Sequence, residues 1–313
     1  MSEASVVRLA VRQAAGSPRK MLRVSRVRVR KIRAFCFLVP TLSLLAVFVY
    51  VPLVSMLRSS FTVWDGISPG RYVGMANYRF LAGYEDFHRI LFNNVVLVTS
   101  GLLVWIGLPF LLSVVILEFR RAHAIRLALF IPALLPAVIV GNIFRLILTS
   151  DGPFNASLRS VHLGFLAGNW LLDERLVLVS IIVVIAWAVL GSGVLFYSAG
   201  LAAIPQSHVE AAAIDGASWW QVVWNIYRPA LRPVTRFWAV LLTISTVAGL
   251  FPWIFSLTGG GPGIASTTLD YAVYTTGFGN GQYGLASAIG VVSILFVALV
   301  LLLQAGYGRV RNL

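Results

Sequence analysis

The sequence is poor in charge and has almost no lysine. Only 12% of its 313 residues are charged and 58% are hydrophobic, whereas a soluble domain carries about twice that charged fraction. Its lysines, Lys20 and Lys31, are followed by Met21 and Ile32, so neither fits the G-x-x-x-x-G-K-S/T pattern of a phosphate-binding loop. A chain this apolar needs lipid as its solvent, and any ATP hydrolysis that it uses must come from another polypeptide.

Cysteine and clustered histidine are also lacking. The one cysteine, Cys36, cannot form a disulfide within the chain. The histidines are scattered, at His88, His123, His162 and His208, and no two have a metal-ligand spacing. The adjacent carboxylates Glu85 and Asp86 have no nucleophile beside them, so acid–base chemistry is not indicated. We therefore predict no catalytic residue, no metal site and no enzyme activity in this chain.

Basic residues are abundant, but their placement indicates a membrane rather than a nucleic acid. The net charge is +14, and ten of the 25 basic residues lie between Arg8 and Arg33, ahead of the first apolar run. A nucleic-acid-binding protein would spread basic residues over a folded face. We interpret residues 1–33 as a cytoplasmic tail that contacts anionic lipid headgroups, and we expect no nucleic-acid partner.

Six apolar stretches are long enough, at about 20 residues each, to cross a bilayer. They cover residues 34–57, 94–117, 126–148, 176–199, 236–257 and 284–305. The first is too long for a cleaved signal peptide. The sequence therefore predicts an all-α polytopic membrane protein with six transmembrane helices in a domain over 34–308, and with a loop at 201–235 between the fourth and fifth spans.

The charge of the loops predicts their side of the membrane. If the N-terminus is inside, the cytoplasmic segments hold 18 basic residues and the outer loops hold six, in agreement with the positive-inside rule. Both termini, including residues 309–313, and the 201–235 loop are then cytoplasmic.

Helix-breaking prolines interrupt several spans, at Pro40, Pro52, Pro132, Pro136 and Pro252. A proline removes a helical hydrogen bond and clashes with the preceding turn, so each predicts a bend, which is either a packing kink or a bend beside a solute path. We predict that Pro252, Trp253 and Phe255 line such a path. Asn142 is a further candidate, unless its amide bonds a neighbouring helix instead.

The 201–235 loop has the pattern of two short helices joined by a glycine turn. Residues Ser207–Ile214 favour helix and Asp215-Gly216 breaks it. Trp219–Tyr227 forms a second, aromatic segment that we expect Pro229 and Pro233 to end. Small residues on one arm and tryptophans on the other suit docking to another protein. The alternative is an arm that lies on lipid headgroups.

Three groups of residues in this loop stand where a known motif has them: Glu210-Ala211-Ala212, Asp215-Gly216-Ala217 and Pro229. They resemble the EAA loop of permease subunits from bacterial binding-protein-dependent ABC importers. The match is closest to the sugar-importer permeases of the maltose and glycerol-phosphate type. Outside the loop, Val73–Tyr78, Asp151–Asn155 and Thr258–Pro262 are similar to segments of the same family.

The resemblance implies a type I ABC importer permease fold in a bacterial inner membrane. A second permease subunit, either another copy or a different chain, would complete the pathway. Two separate ATPase subunits would bind ATP and magnesium, so this chain would need no cofactor, and an external binding protein would deliver a sugar or sugar-like solute. The implied coupling residues, which dock on the ATPase, are Glu210, Ala211, Ala212, Asp215, Gly216, Ala217 and Pro229.

The sequence departs from the family at Val223, where an aromatic residue is usual, and at Tyr227-Arg228, where Thr-Leu is usual. The docking surface would differ in shape there. The competing hypothesis is a secondary carrier or channel that works without an ATPase. That hypothesis predicts charged residues deep in the helix bundle or an inverted repeat, and the sequence shows neither.

Overall fold

The computed structural model describes Phe35 and residues 37–310, with side chains as far as Gly306. The predicted tail at 1–33, Cys36 and residues 311–313 lie outside the described residues. The chain divides into two units, residues 1–56 and residues 57–313. In the first unit the described residues form part of the first helix, and none of them is buried.

The fold is helical apart from one pair of two-residue strands. In chain order the elements are α1 (Phe37–Ser59), β1 (Thr62–Val63), β2 (Arg71–Tyr72), α2 (Ala76–Gly83), α3 (Glu85–Leu117), α4 (Ala122–Phe130), α5 (Ala137–Ile147), α6 (Pro153–Ser160), α7 (Val177–Ala202), α8 (Gln206–Ile214), α9 (Trp219–Val222), α10 (Arg232–Ala248), α11 (Phe251–Leu257), α12 (Leu269–Tyr274) and α13 (Tyr283–Val310). The strands pair antiparallel, with Thr62 opposite Tyr72. α3 begins at Glu85, nine residues before the predicted start of the second span at residue 94.

Four helices are individually long and apolar enough to cross a membrane: α1, α3, α7 and α13. The number rises to six if α4, with its 3-10 turn at Ile131–Leu134, forms one span with α5, and if α10 forms one with α11. The first of these pairs is bent by 93° and the second by 53°. The predicted six-span topology therefore holds with the third and fifth spans broken rather than continuous.

The breaks fall where the sequence removes helical hydrogen bonds. Leu135 is extended, with a ψ of 134°, because the residue before a proline avoids the helical region. Gly249 and Leu250 separate α10 from α11, and Pro252 lies in the first turn of α11, where a proline costs no hydrogen bond. The bend predicted at Pro252 is therefore present, and Pro252 itself begins the helix that follows it.

A proline inside α3 is compensated by tryptophan. Pro109 has no N–H to donate to the carbonyl of Trp105, one turn earlier. The indole N–H of Trp238 donates to that carbonyl at 3.0 Å, while the indole of Trp105 donates to the Ile182 carbonyl at 3.1 Å. A carbonyl freed within a membrane must find such a partner, so this pair of bonds ties α3 to α7 and α10 in the main core.

Close approach of backbones completes the packing around α7. A Cβ added at Gly191 would lie 2.0 Å from the carbonyl oxygen of Leu129, and one at Gly193 would lie 2.7 Å from the Pro109 ring. Small residues at helix contacts are the usual means of packing helices in lipid. By contrast, the ion pair seen among the described residues joins two exposed side chains, Arg89 and Glu174, at 4.0 Å.

Candidate functional site

The first arm of the 201–235 loop is α8. Pro205 precedes it with an extended ψ of 127°, and the helix then presents Glu210, Ala211 and Asp215 as exposed residues, with Ala212 half-buried. Within the described part of the chain, the Glu210 carboxylate has no hydrogen-bond or ion-pair partner. An exposed carboxylate without a partner in its own chain is available to another molecule.

The turn after α8 depends on the conformation of one glycine. Gly216 has a φ of +74°, which is the left-handed region where a Cβ is unfavourable. Its N–H donates to the Ala213 carbonyl at 3.1 Å, and the N–H of Ala217 donates to the Ala212 carbonyl at 2.9 Å. These two bonds form a Schellman motif, so the predicted glycine turn is present and hydrogen-bonded.

A capping box starts the second arm. The hydroxyl of Ser218 accepts from the N–H of Gln221 at 3.4 Å, and the Gln221 side chain accepts from the N–H of Ser218 at 2.6 Å. Together the two bonds satisfy backbone groups that the first turn of α9 would leave unpaired. The sequence pattern Ser-x-x-Gln indicates this cap, but our sequence analysis did not use it.

The second arm does not end at its prolines, contrary to the prediction. A π turn at Val223–Tyr227 leads into a short helical turn at Arg228–Ala230, and α10 follows after Leu231. Pro229 and Pro233 each lie in the first turn of the element that contains them, where proline is tolerated. The arm therefore continues almost directly into the fifth span.

Contacts at both ends of the second arm hold it on the helix bundle. Val223 is fully buried in the main core with Leu231. The indole N–H of Trp219 donates to the carboxylate of Glu118 at 3.3 Å, just after α3 ends. Trp220 and Trp224 stay exposed. One face of the arm is therefore anchored and the other presents two indole rings.

A cleft of about 440 Å³ separates the base of the first arm from the second arm. Ile204 and His208 line it on one side, and Asn225 and Pro229 line it on the other. Among the predicted coupling residues, Pro229 thus lies apart from the exposed carboxylate of Glu210 and contributes to the cleft.

The C-terminal halves of the two broken spans, α5 and α11, pack against each other. A Cβ added at Gly141 would lie 1.9 Å from the hydroxyl oxygen of Ser256, so glycine allows the close approach. The predicted pathway residues occupy these two helices. Asn142 is exposed and its amide donates to the Val138 carbonyl of its own helix at 2.9 Å, so no bond to a neighbouring helix is present.

The aromatic pathway candidates differ in exposure. Trp253 packs partly buried against the main core, whereas Phe255 is 48% exposed. The ring of Phe255 contacts Phe251 at 5.5 Å and Tyr274 at 6.1 Å between centroids. Of the two residues, Phe255 is therefore the one whose ring is accessible to a solute.

A buried carboxylate holds the break in the fifth span. Asp270, between the predicted fifth and sixth spans, accepts from the N–H of Phe251 through one oxygen and from Thr268 and the N–H of Tyr271 through the other. Burial raises the pKa of Asp270, and these hydrogen bonds oppose that rise. Asp270 is not predicted by any local pattern, because its partner at Phe251 lies 19 residues away in sequence.

The fold and the exposed helix–glycine–helix loop define the class of this protein as a membrane-spanning transport subunit. Residues 106–309 match the sequence profile of the family described as "Binding-protein-dependent transport system inner membrane component". The chain belongs to this family and is a multi-pass permease subunit of an ABC importer. The predicted resemblance is thereby confirmed.

This chain aligns with similar proteins over nearly the whole length of both sequences. A probable ABC transporter permease of Pyrococcus horikoshii is 32% identical, over 85% of this chain and 92% of its own. The arabinooligosaccharides transport system permease protein AraP of Bacillus subtilis is 32% identical, over 88% of each chain. The sn-glycerol-3-phosphate transport system permease protein UgpA of Rhizobium meliloti is 32% identical, over 85% of this chain and 91% of its own.

Solved structures share the fold at lower identity. A bacterial ABC transporter involved in import of the acidic polysaccharide alginate aligns with a TM-score of 0.79 at 22% identity, covering 92% of this chain and 98% of that one. The same kind of transporter, in complex with its alginate pentasaccharide-bound periplasmic protein, aligns with a TM-score of 0.78, covering 90% of this chain and 96% of that one.

Proposed function

We propose that this chain forms half of the translocation pathway for a sugar or sugar-like solute. The names of the relatives, which include transporters for arabinooligosaccharides and for sn-glycerol-3-phosphate, support this class of solute. The observation that carries the proposal is the structure of the loop. Its first arm presents the unpartnered carboxylate of Glu210, and a Schellman turn at Gly216 joins this arm to the second arm. The second arm continues into the broken fifth span. That geometry suits a subunit moved by a separate motor.

The loop docks on an ATPase subunit in this proposal. Glu210 makes polar contacts with the ATPase, Ala211, Ala212 and Ala217 allow close packing, and Gly216 sets the angle between the arms. Two permease subunits and two ATPase subunits, which hold ATP and magnesium, form the importer, and an external binding protein delivers the solute. Both termini and the loop then face the cytoplasm, as the excess of basic residues there supports.

The solute passes beside the contact between α5 and α11. The exposed side chains Asn142 and Phe255 contact it, and Trp253 with Pro252 fixes the helix that carries Phe255. In the importer cycle, ATP binding moves the two-arm loop and so changes the angle of the broken fifth span. A Trp253→Ala change would then act through the position of Phe255 rather than through direct contact.

Co-purification tests the docking proposal. The tagged chain is isolated from membranes under conditions that preserve complexes, and the amount of ATPase subunit recovered per permease is measured. We expect Glu210→Ala to weaken ATPase binding by about tenfold, or about 1.4 kcal/mol, which is more than most interface residues contribute. Glu85→Ala removes an equally exposed carboxylate in a predicted outer segment and serves as the control.

Two results would overturn the proposal. The first is a wild-type preparation that yields a second permease but no ATPase. The second is equal ATPase recovery for Glu210→Ala and Glu85→Ala at subunit concentrations near the dissociation constant.

A further inference from the structure

A second concave site lies away from both the loop and the α5–α11 contact. A cavity of about 540 Å³ is enclosed by the end of α2, the start of α3, the glycine turn after α11, and the segment that joins α12 to α13. Cavities of roughly 300–1,000 Å³ are typical of small-molecule sites. By the predicted topology this cavity is on the outer side.

One wall of the cavity is a flat aromatic surface. The rings of Phe80 and Tyr84 lie nearly parallel, with an interplanar angle of 22° and centroids 5.3 Å apart. Because the rings are stacked, each covers part of one face of the other, while 52% of Phe80 and 43% of Tyr84 remain exposed for contact with another molecule. The opposite wall carries Tyr271, whose hydroxyl donates to the Gly259 carbonyl at 3.0 Å.

The rim of the cavity is polar and not internally satisfied. Thr276, Asn280 and Gln282 line it, and their side chains have no hydrogen-bond partner among the residues that the structure describes. Asp86 accepts from the hydroxyl of Tyr84 at 2.6 Å through one carboxylate oxygen, and its other oxygen is free in the same part of the chain. The cavity thus offers donors and acceptors around an apolar, aromatic interior.

The walls are held in place by bonds between distant segments. The amide of Asn93 donates to the carbonyls of Ile264 and Thr267 at 3.1 and 3.0 Å. The hydroxyl of Thr267 donates to the Gly260 carbonyl at 3.1 Å. Because α3 and the glycine turn are joined in this way, the cavity exists before any ligand binds, which lowers the entropic cost of binding.

Charge selects among the ligands that such a cavity would accept. Asp86 is the one charged residue in its lining, and no lysine or arginine contributes. The hydrogen bond from Tyr84 to Asp86, with burial and the nearby negative charge, raises the pKa of Tyr84, so that phenol stays neutral. Among the described lining residues the carboxylate of Asp86 has no cation beside it, which disfavours phosphate, uronate and anionic lipid headgroups inside the cavity.

We propose that this cavity binds a short neutral saccharide. The apolar C–H face of a sugar ring packs on the Phe80 and Tyr84 rings, and its hydroxyls bond to Asp86, Asn280 and Gln282. The site rests on the proposed function, since a saccharide is expected at the outer face only if the importer carries one. It is separate from the path beside Phe255, and it restricts the solute class to uncharged sugars.

Saturation-transfer NMR on the intact importer in lipid nanodiscs tests the site. The probes are maltotriose, cellotriose and arabinotriose as neutral trisaccharides, and a mannuronate trisaccharide as the anionic one. We expect transfer to the ring protons of at least one neutral probe and none to the anionic probe. Tyr84→Ala should weaken that binding by about fivefold, in line with the loss of one aromatic contact.

Two matched variants sharpen the test. Tyr72→Ala removes a tyrosine that is 75% exposed and does not line the cavity, so it should leave binding unchanged. Asp86→Asn keeps an acceptor for Tyr84 but removes the charge, so it should admit the mannuronate probe. Equal binding by Tyr84→Ala and Tyr72→Ala, or no transfer to any neutral probe, would overturn the proposal.

A lipid occupant is the other outcome to be distinguished. If a lipid occupies the cavity, native mass spectrometry of the same complex would detect a phospholipid bound to the wild type but not to Tyr84→Ala. This result would also overturn the saccharide proposal. These measurements use neither ATP nor the external binding protein, so a negative result would not bear on the docking of the 201–235 loop on the ATPase. Likewise, a failure of the docking test would not bear on saccharide binding in the cavity.

Discussion

Substitution of Gly216 separates the role of its backbone conformation from that of its small size. The residue has a φ of +74°, and a Cβ built there meets no atom within 4 Å. Replacement by alanine therefore creates no clash with neighbouring residues, and its whole cost comes from the left-handed backbone. The hairpin is exposed at this point, so the cost acts on the angle between the arms rather than on the core.

The magnitudes predict an order of severity. A non-glycine residue in the left-handed region costs roughly 1–2 kcal/mol, and asparagine is tolerated there better than alanine. Proline cannot adopt a positive φ and has no N–H, so Gly216→Pro also loses the bond to the Ala213 carbonyl. We expect coupling to fall in the order Gly, Asn, Ala, Pro, with about a fivefold loss for Ala and complete uncoupling for Pro.

The assay is the number of solute molecules taken up per ATP hydrolysed by the importer in proteoliposomes. The control is Gly107→Ala, since a Cβ at Gly107 also meets nothing within 4 Å and Gly107 has an ordinary helical φ inside α3. Membrane insertion, followed by the amount of folded protein recovered, should be the same for all variants.

Two outcomes would refute this reasoning. If Gly216→Pro keeps the wild-type ratio of uptake to hydrolysis, the turn has no part in coupling. If Gly216→Asn is as impaired as Gly216→Pro, then the small size of glycine, and not its φ, is what the loop requires.

Three further predictions concern the surroundings of this loop and of the broken spans. Ser218→Ala removes the capping box and should cost about 1 kcal/mol, seen as about fivefold faster hydrogen exchange at the first amides of α9, while Ser218→Asp should restore protection. Gly141→Ala should lower the stability measured by thermal melts in detergent by about 1–3 kcal/mol, because the added methyl group overpacks the contact. Adding Ser256→Gly to the same chain should restore the stability, and a failure to do so would contradict the contact between α5 and α11. Asp270→Asn should destabilise the chain by about 1.5–3 kcal/mol in the same melts. Both carboxylate oxygens of Asp270 accept hydrogen bonds, whereas the amide of asparagine has only one oxygen that can accept. An unchanged melting temperature would contradict this arrangement.

Much of the fold could be predicted from the sequence, because lipid imposes strong rules on composition. The predictions of a helical membrane protein, of its family and of a turn at Gly216 are all confirmed. A bend in the third span is predicted by its prolines, but the size of the bend is not, since hydropathy carries no information on the direction of a helix. The extended backbone of Leu135 follows from its place before Pro136, but the 93° angle also depends on the packing of α4 on α7 and of α5 on α11, which no local pattern shows.

The errors and omissions at the site have different causes. The sequence predicts that Pro229 and Pro233 end the second arm, but proline can also begin a helical turn. Which of the two occurs depends on whether the arm continues into a membrane span. The Ser218 cap was readable and was overlooked. The bond from Trp219 to Glu118 joins segments 101 residues apart in sequence, so no local pattern indicates it. The roles of Glu210 and Phe255 remain predictions.

The exposed ion pair of Arg89 and Glu174 has a practical consequence. Such a pair contributes about 0–1 kcal/mol and is weakened further by salt, while the core is held by apolar packing and by neutral bonds such as that from Trp238 to Trp105. Ionic strength should therefore leave the described fold of this subunit almost unchanged. A salt-dependent loss of transport would then report on contacts between subunits, which makes a simple salt titration a measure of assembly.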